Sequence, residues 1–189
     1  MISRQEAFEG FYGAWRLFFR DQGAVTLFDD SVSGFWKSFS CAIFVLPLYI
    51  PMVLFGAGGI ESSRGPVEIT AIEVIFYVIG WVVWPLLMAH LVPILDRDKE
   101  YVLYIVAYNW SNAVQVPLFF IVLALVYVEL VPERGLILLN FIALIVVFVY
   151  HMFILRVTLN VRGPGAFALV FGEFIIGQIV FGIRSAMIA

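Results

Sequence analysis

The chain has 189 residues, of which 63% are apolar and only 13% charged. A soluble domain of this size carries about a quarter charged residues, so a mean hydropathy of +1.02 excludes one. A net charge of −3 and a pI near 5.3 exclude electrostatic nucleic-acid binding. One cysteine, Cys41, excludes an internal disulfide framework and a cysteine-built metal site.

Residues 3 to 20 read as an amphipathic helix lying on a membrane. Ser3 and Glu6 have the S-x-x-E capping-box spacing. Phe8, Phe11, Tyr12, Trp15, Phe18 and Phe19 recur at three- and four-residue steps on one stripe, with Glu9, Arg16 and Arg20 off it. Aromatic rings are favoured at headgroup depth, which makes the stripe a candidate membrane-surface anchor. MISRQEAFEGF holds no basic segment followed by an apolar run, so no cleaved signal peptide is expected. Asp29, Asp30 and Ser31 offer capping groups where the chain turns into its first span. Gly34, Ser38 and Ala42 follow at small-xxx-small spacing. These features divide the chain into an interfacial segment, 1–33, and a transmembrane domain, 34–189.

The rest falls into five apolar blocks, each near the ~20 residues that a spanning helix needs. The spans are about 35–57, 71–94, 101–129, 135–157 and 164–185. The expected fold class is all-α: a polytopic bundle of five transmembrane helices with an N-terminal interfacial amphipathic helix. Cys41, in the first span, reads as a small apolar packing residue. Pro47, Pro51, Pro85, Pro93 and Pro117 lie within three spans and predict kinks or hinges. GAGGIESSRGP reads as a flexible loop and DRDKE as a charged turn.

The third span carries the polarity that costs most in lipid. Tyr101, Tyr104, Tyr108, Ser111 and Gln115 step by three and four residues along one face, with Asn112 beside them and Asn109 on the flank. The stripe stops at Pro117, and LFFIVLALVYV beyond it is uniformly apolar. Such a seam either bonds to neighbouring helices across the bundle or lines a cleft open to the cytoplasm that admits a ligand or lipid headgroup. Asn109-Trp110-Ser111 matches a glycosylation sequon, but inside a span it is not a glycosylation site.

Two further polar groups lie at depth. Glu173 is about 13 Å into the fifth span by the 1.5 Å rise, and His151 about 9 Å from the same end of the antiparallel fourth span. The two meet if the last helices are neighbours, as a candidate ionisable pair that either relays protons or ions or is a structural hydrogen bond. Asn140 lies close to the His151 face, and His90 falls near a span end. No H-x-x-x-H, H-E-x-x-H, nucleophilic triad or paired carboxylates occur, so neither an enzyme nor a cofactor is expected.

Lys and Arg number eight on the side of the N-terminus and the second and fourth loops, and three on the other. That asymmetry predicts a cytoplasmic N-terminus and an exoplasmic C-terminus.

LVPILDRDKEYVLYIVAYNWSNAVQVPLF and RVTLNVRGPGAFALVFGEF resemble stretches of the Yip1-like five-span membrane proteins. The first is similar to that family's charged turn and small-aromatic stretch before a proline. The second is similar to the start of its last helix. Eukaryotic members carry a DLYGP-type motif where this chain has LFDDSVSGFW, so the resemblance is to the compact bacterial type. It implies a non-catalytic protein of a bacterial inner membrane, a scaffold or adaptor that binds lipids, a membrane-protein partner or a second copy of itself. The alternative is a small transporter or channel subunit using the polar seam and the His151–Glu173 pair.

Overall fold

The computed structural model describes residues 2–56 and 64–189. Most of the GAGGIESSRGP loop lies outside the described residues. Among the described residues seven α-helices follow in order: α1 (Arg4–Phe18), α2 (Val32–Ser38), α3 (Cys41–Gly56), α4 (Pro66–Ile94), α5 (Tyr101–Tyr127), α6 (Glu133–Thr158) and α7 (Gly163–Ile188). Among the described residues there is no strand. Among the described residues, five segments are long and apolar enough to cross a membrane: Val32–Leu54, Pro66–Ile94, Asp98–Leu125, Arg134–Thr158 and Gly163–Ile188. The chain is therefore a multi-pass integral membrane protein with an all-α bundle.

The capping box closes α1 as its spacing predicts. Ser3 Oγ accepts from the Glu6 amide at 3.1 Å, and the Ser3 amide donates to Glu6 Oε2 at 2.7 Å. Ser31 caps α2 by accepting from the Gly34 amide at 3.1 Å, and Asp29 accepts from the Ser31 amide at 3.0 Å. Gly34 lies in close contact with the backbone of Asp29 rather than with another helix, so its small size serves the entry turn.

The first span is not one helix. It breaks at Phe39–Ser40, where no proline or glycine stands. Ser38 Oγ donates to the Phe35 carbonyl at 2.7 Å, and Ser40 Oγ to the Lys37 carbonyl at 2.6 Å. Hydroxyls that bond back onto the preceding turn compete with the helical ladder and bend it. The backbone tightens there to three-residue bonds, Ser40 N to Lys37 O at 3.0 Å and Ile43 N to Ser40 O at 2.9 Å. The five internal prolines, by contrast, stay within continuous helices.

Helix α5 is the hub and packs on α1, α2, α3, α4 and α6. Helices α4, α5, α6 and α7 also close a ring, each against the next and α7 back on α4. Toward the α4–α5 and α6–α7 turns the ring is filled by buried Met88, Val92, Ile105, Ile154, Leu155 and Leu159.

Helix α1 joins this filled end. Gly10 lies against the indole of Trp110 so closely that a Cβ there would fall 2.3 Å from it. Tyr150 donates a hydrogen bond to the Ala14 carbonyl at 2.8 Å, and Phe18 packs edge-on against the same ring. Trp110 and Tyr150 stand at about the same height, ~12–14 Å from the ends of α5 and α6 by the helical rise. Helix α1 consequently crosses the bundle instead of running along it. Lys37 donates to Glu6 at 2.6 Å and fastens α1 to α2.

Candidate functional site

The polar seam of α5 does not face one partner. Tyr101 donates to the Pro85 carbonyl at 3.0 Å, and the Tyr104 hydroxyl accepts from Trp84 Nε1 at 2.7 Å, so both tyrosines tie α5 to α4. Asn109, fully buried, donates to Ser38 Oγ at 2.8 Å and ties α5 to α2. Ser111 turns toward α6. Its hydroxyl lies 2.6 Å from the Tyr108 carbonyl and 3.3 Å from His151 Nε2. Asn112 bends back to the Tyr108 and Asn109 carbonyls at 3.4 and 3.3 Å. Asn109 Oδ1 and Gln115 Oε1 are buried without a hydrogen-bond partner among the described residues.

The ionisable pair expected from depth alone forms across α6 and α7. His151 Nδ1 lies 3.0 and 3.1 Å from the two carboxylate oxygens of Glu173. The ring of Tyr108 stands edge-on to His151 at 5.4 Å between centroids. A chain of polar groups therefore runs from α5 through α6 to α7: Tyr108 carbonyl, Ser111, His151, Glu173.

Glu173 lines a partly open cavity of about 530 Å³ bounded by the α4–α7 ring and, on one side, by α3. That volume lies within the usual range for small-molecule sites, which are mostly apolar with a few placed polar groups. Tyr49, Phe76, Trp84, Tyr108, Phe119 and Phe181 contribute to its lining, with Asn140 and Glu173 as polar members. A second cavity of about 260 Å³ shares Tyr49, Phe76, Tyr108 and Phe119 with it and is also lined by Asn112 and Gln115. The open volume meets the deeper half of the seam, where Tyr108, Asn112 and Gln115 line the two cavities. Tyr101 and Tyr104 are closed against α4, and the larger space extends past Pro117 to Leu123, toward the α5–α6 turn.

The sequence reading missed the Glu73–Arg184 pair. Arg184 counts with the loops in the charge tally, yet it lies within α7, buried to 9% exposure. Its Nε donates to Glu73 Oε2 at 2.9 Å, and Nη2 reaches the other oxygen, a bidentate fork between α7 and α4. Arg184 also lines the larger cavity, at the end away from Glu173. Glutamate early in one helix and arginine late in another was the available signal, since neither is left alone in lipid.

The stripe of α1 divides by exposure. Phe8, Tyr12, Trp15 and Phe19 face outward, Phe8 at 66% and Phe19 at 64% exposure. Phe11 packs edge-on against Trp110 at 5.1 Å, and Phe18 is half-buried against Tyr150. The opposite face, Gly10, Gly13, Ala14 and Leu17, is buried against the bundle. The Lys37 hydrogen bond, with those of Ser3, holds the Glu6 carboxyl down to about 2. Arg16 beside Asp21 lowers that carboxyl as well. His90 is exposed on α4, with Nδ1 2.8 Å from the Leu86 carbonyl, far from His151.

Fold and site together define a multi-pass membrane protein with a partly open cavity whose wall holds Glu173, the carboxylate partner of His151. Comparison with family models, curated proteins and solved structures finds no match to this chain.

Proposed function

We propose that this is a non-catalytic membrane protein that binds an amphiphilic molecule, a lipid or lipid-like solute, inside the α4–α7 ring. The observation that carries this reading is the cavity itself: about 530 Å³, apolar along most of its wall, with Glu173 at one end and Arg184 at the other. Apolar walls take up a hydrocarbon body, and the few polar groups orient a head. Five spans and the short charged turn before α5 keep the compact Yip1-like type as the family reading. Helix α5, of 27 residues, reaches ~40 Å and overshoots a ~30 Å hydrocarbon core by ~5 Å at each end. Helix α1, crossing at ~12–14 Å from those ends, then lies within the 5–10 Å burial of an interfacial helix, with its exposed aromatics among the headgroups. With Arg184 removed from the tally, basic residues still number eight against two. This favours a cytoplasmic N-terminus, most naturally in a bacterial inner membrane.

Gly177 lines the cavity, and a Cβ placed on it meets no heavy atom within 4 Å. Gly177→Leu therefore has room for its Cβ and extends an apolar side chain at the cavity. Native mass spectrometry of the wild type is expected to show a co-purifying amphiphile that Gly177→Leu loses while helicity is retained. Equal occupancy in both proteins would remove the reading.

The His151–Glu173 pair favours a second reading, a small transporter in which the pair handles a proton or ion. Flux into proteoliposomes that is lost in both Glu173→Gln and Gln115→Leu would establish it over binding alone.

A further inference from the structure

The hydrogen bonds around His151 determine how many protons the pair holds. Ser111 Oγ is closer to the Tyr108 carbonyl, at 2.6 Å, than to His151 Nε2, at 3.3 Å. Its hydrogen goes to the carbonyl and its lone pair faces Nε2, an arrangement that suits the Nε2–H form of the ring. Nδ1 then faces two carboxylate oxygens at 3.0 and 3.1 Å. Two acceptors do not bond without a hydrogen between them, so a second proton lies on the Nδ1–carboxyl axis. Whether it rests on nitrogen or oxygen, His151 and Glu173 together carry no net charge. Losing that proton leaves a net charge of −1, with Ser111 free to rotate and donate to Nε2 instead.

Among the described residues, the groups around the pair include no unpaired cation to neutralise that charge. The titratable and charged groups facing the pair are Tyr104 and Tyr108 from α5, and Tyr150 beside His151 on α6. Farther along the cavity, Tyr49 of α3 faces Glu73 of α4 and Arg184 of α7, which are committed to each other. A carboxylate at this depth is neutralised by a proton or by a cation that enters the cavity. The lining supplies what an organic cation needs, because Tyr49, Phe76, Trp84, Tyr108, Phe119 and Phe181 give it π-systems on several sides.

We infer that the cavity is a binding site for hydrophobic organic cations, which compete with the proton held between His151 and Glu173. This rests on the cavity reading above and names the ligand class. Charge and atoms balance: one cation enters, one proton leaves the pair for water, and the site stays neutral.

The test uses the full chain in detergent, with tetraphenylphosphonium as probe and tetraphenylborate, its near-isosteric anion, as control. Equilibrium dialysis between about pH 6 and pH 8.5 is expected to give one phosphonium site. Its affinity rises with pH, up to tenfold per unit for one displaced proton, with one proton released into weak buffer per cation bound. Glu173→Gln is expected to weaken binding at least tenfold and flatten the pH slope, while Glu173→Asp keeps the slope. A carboxylate with a structural role only would not change that slope. Equal binding of tetraphenylborate, or an unchanged slope in Glu173→Gln, overturns the assignment. If the phosphonium fails to bind while Gly177→Leu still strips a co-purifying amphiphile, the cation class falls and the cavity reading stands. If Gly177→Leu alters neither, both fall.

Discussion

The two ends of the bundle are built on opposite principles. Toward the α4–α5 turn, glycine and alanine let α1 sit directly on aromatic rings, and the ring of helices behind it is filled with buried aliphatics. Toward the α5–α6 turn the same helices leave a partly open cavity, and Arg184, held by Glu73 in a fork between α7 and α4, lines its far end. In lipid the hydrophobic effect does not draw helices together, so each end depends on contact or on polar bonds. The filled end has dispersion to spare. The hollow end relies on a few groups, and its stability is concentrated in them.

The sharpest break of this contrast is Arg184→Met, which leaves the Glu73 carboxylate without its partner within the bundle. A loss of about 3–5 kcal/mol is expected, as for removal of one partner of a buried pair. Adding Glu73→Met should recover most of it, read as the thermal midpoint in detergent. If the double variant is no better than the single, the pair does not brace the hollow end.

Glycine substitutions compare the ends directly. Gly10→Ala drives a methyl into Trp110 and should cost about 1–3 kcal/mol by overpacking. Gly177→Ala and Gly80→Ala point into open space and should stabilise by about 0.5–1 kcal/mol through helix propensity. Equal effects at both ends would mean the void closes in the membrane.

The smallest effect is expected from acid. The Glu6 carboxyl is held to about 2 by Lys37. A lowered native value means that the latch contributes fully above the ordinary carboxylate range, near 4.3, and is lost as pH falls toward 2. Glu6→Gln should therefore lower the thermal midpoint slightly at pH 7 and not at all near pH 2. A difference that persists in acid would assign the effect to something other than the Glu6–Lys37 bond.

Span count, the capped amphipathic helix and the meeting of His151 with Glu173 are legible because each follows from periodicity or from depth at 1.5 Å per residue. The direction of the α5 seam is not legible. Periodicity gives the seam a face, but Tyr104, Asn109 and Ser111 reach three different helices from it. The break at Ser38–Ser40 has no proline or glycine to announce it. The cavity is hidden for a simpler reason: an apolar residue facing a void, such as Phe119 or Leu123, has the same sequence as one facing lipid. Arg184 is misread because hydropathy assigns a charge near the end of a block to the loop beyond.

The hydrogen bond from Tyr150 to Ala14 joins positions 136 residues apart, which sets an order of assembly. A chain made from its N-terminus produces α1 first, yet the surface that holds α1 is incomplete until α6 has been synthesised and inserted. The earliest helix made is thus among the last to be seated. Its outward aromatics give it a place to wait at the bilayer surface in the meantime.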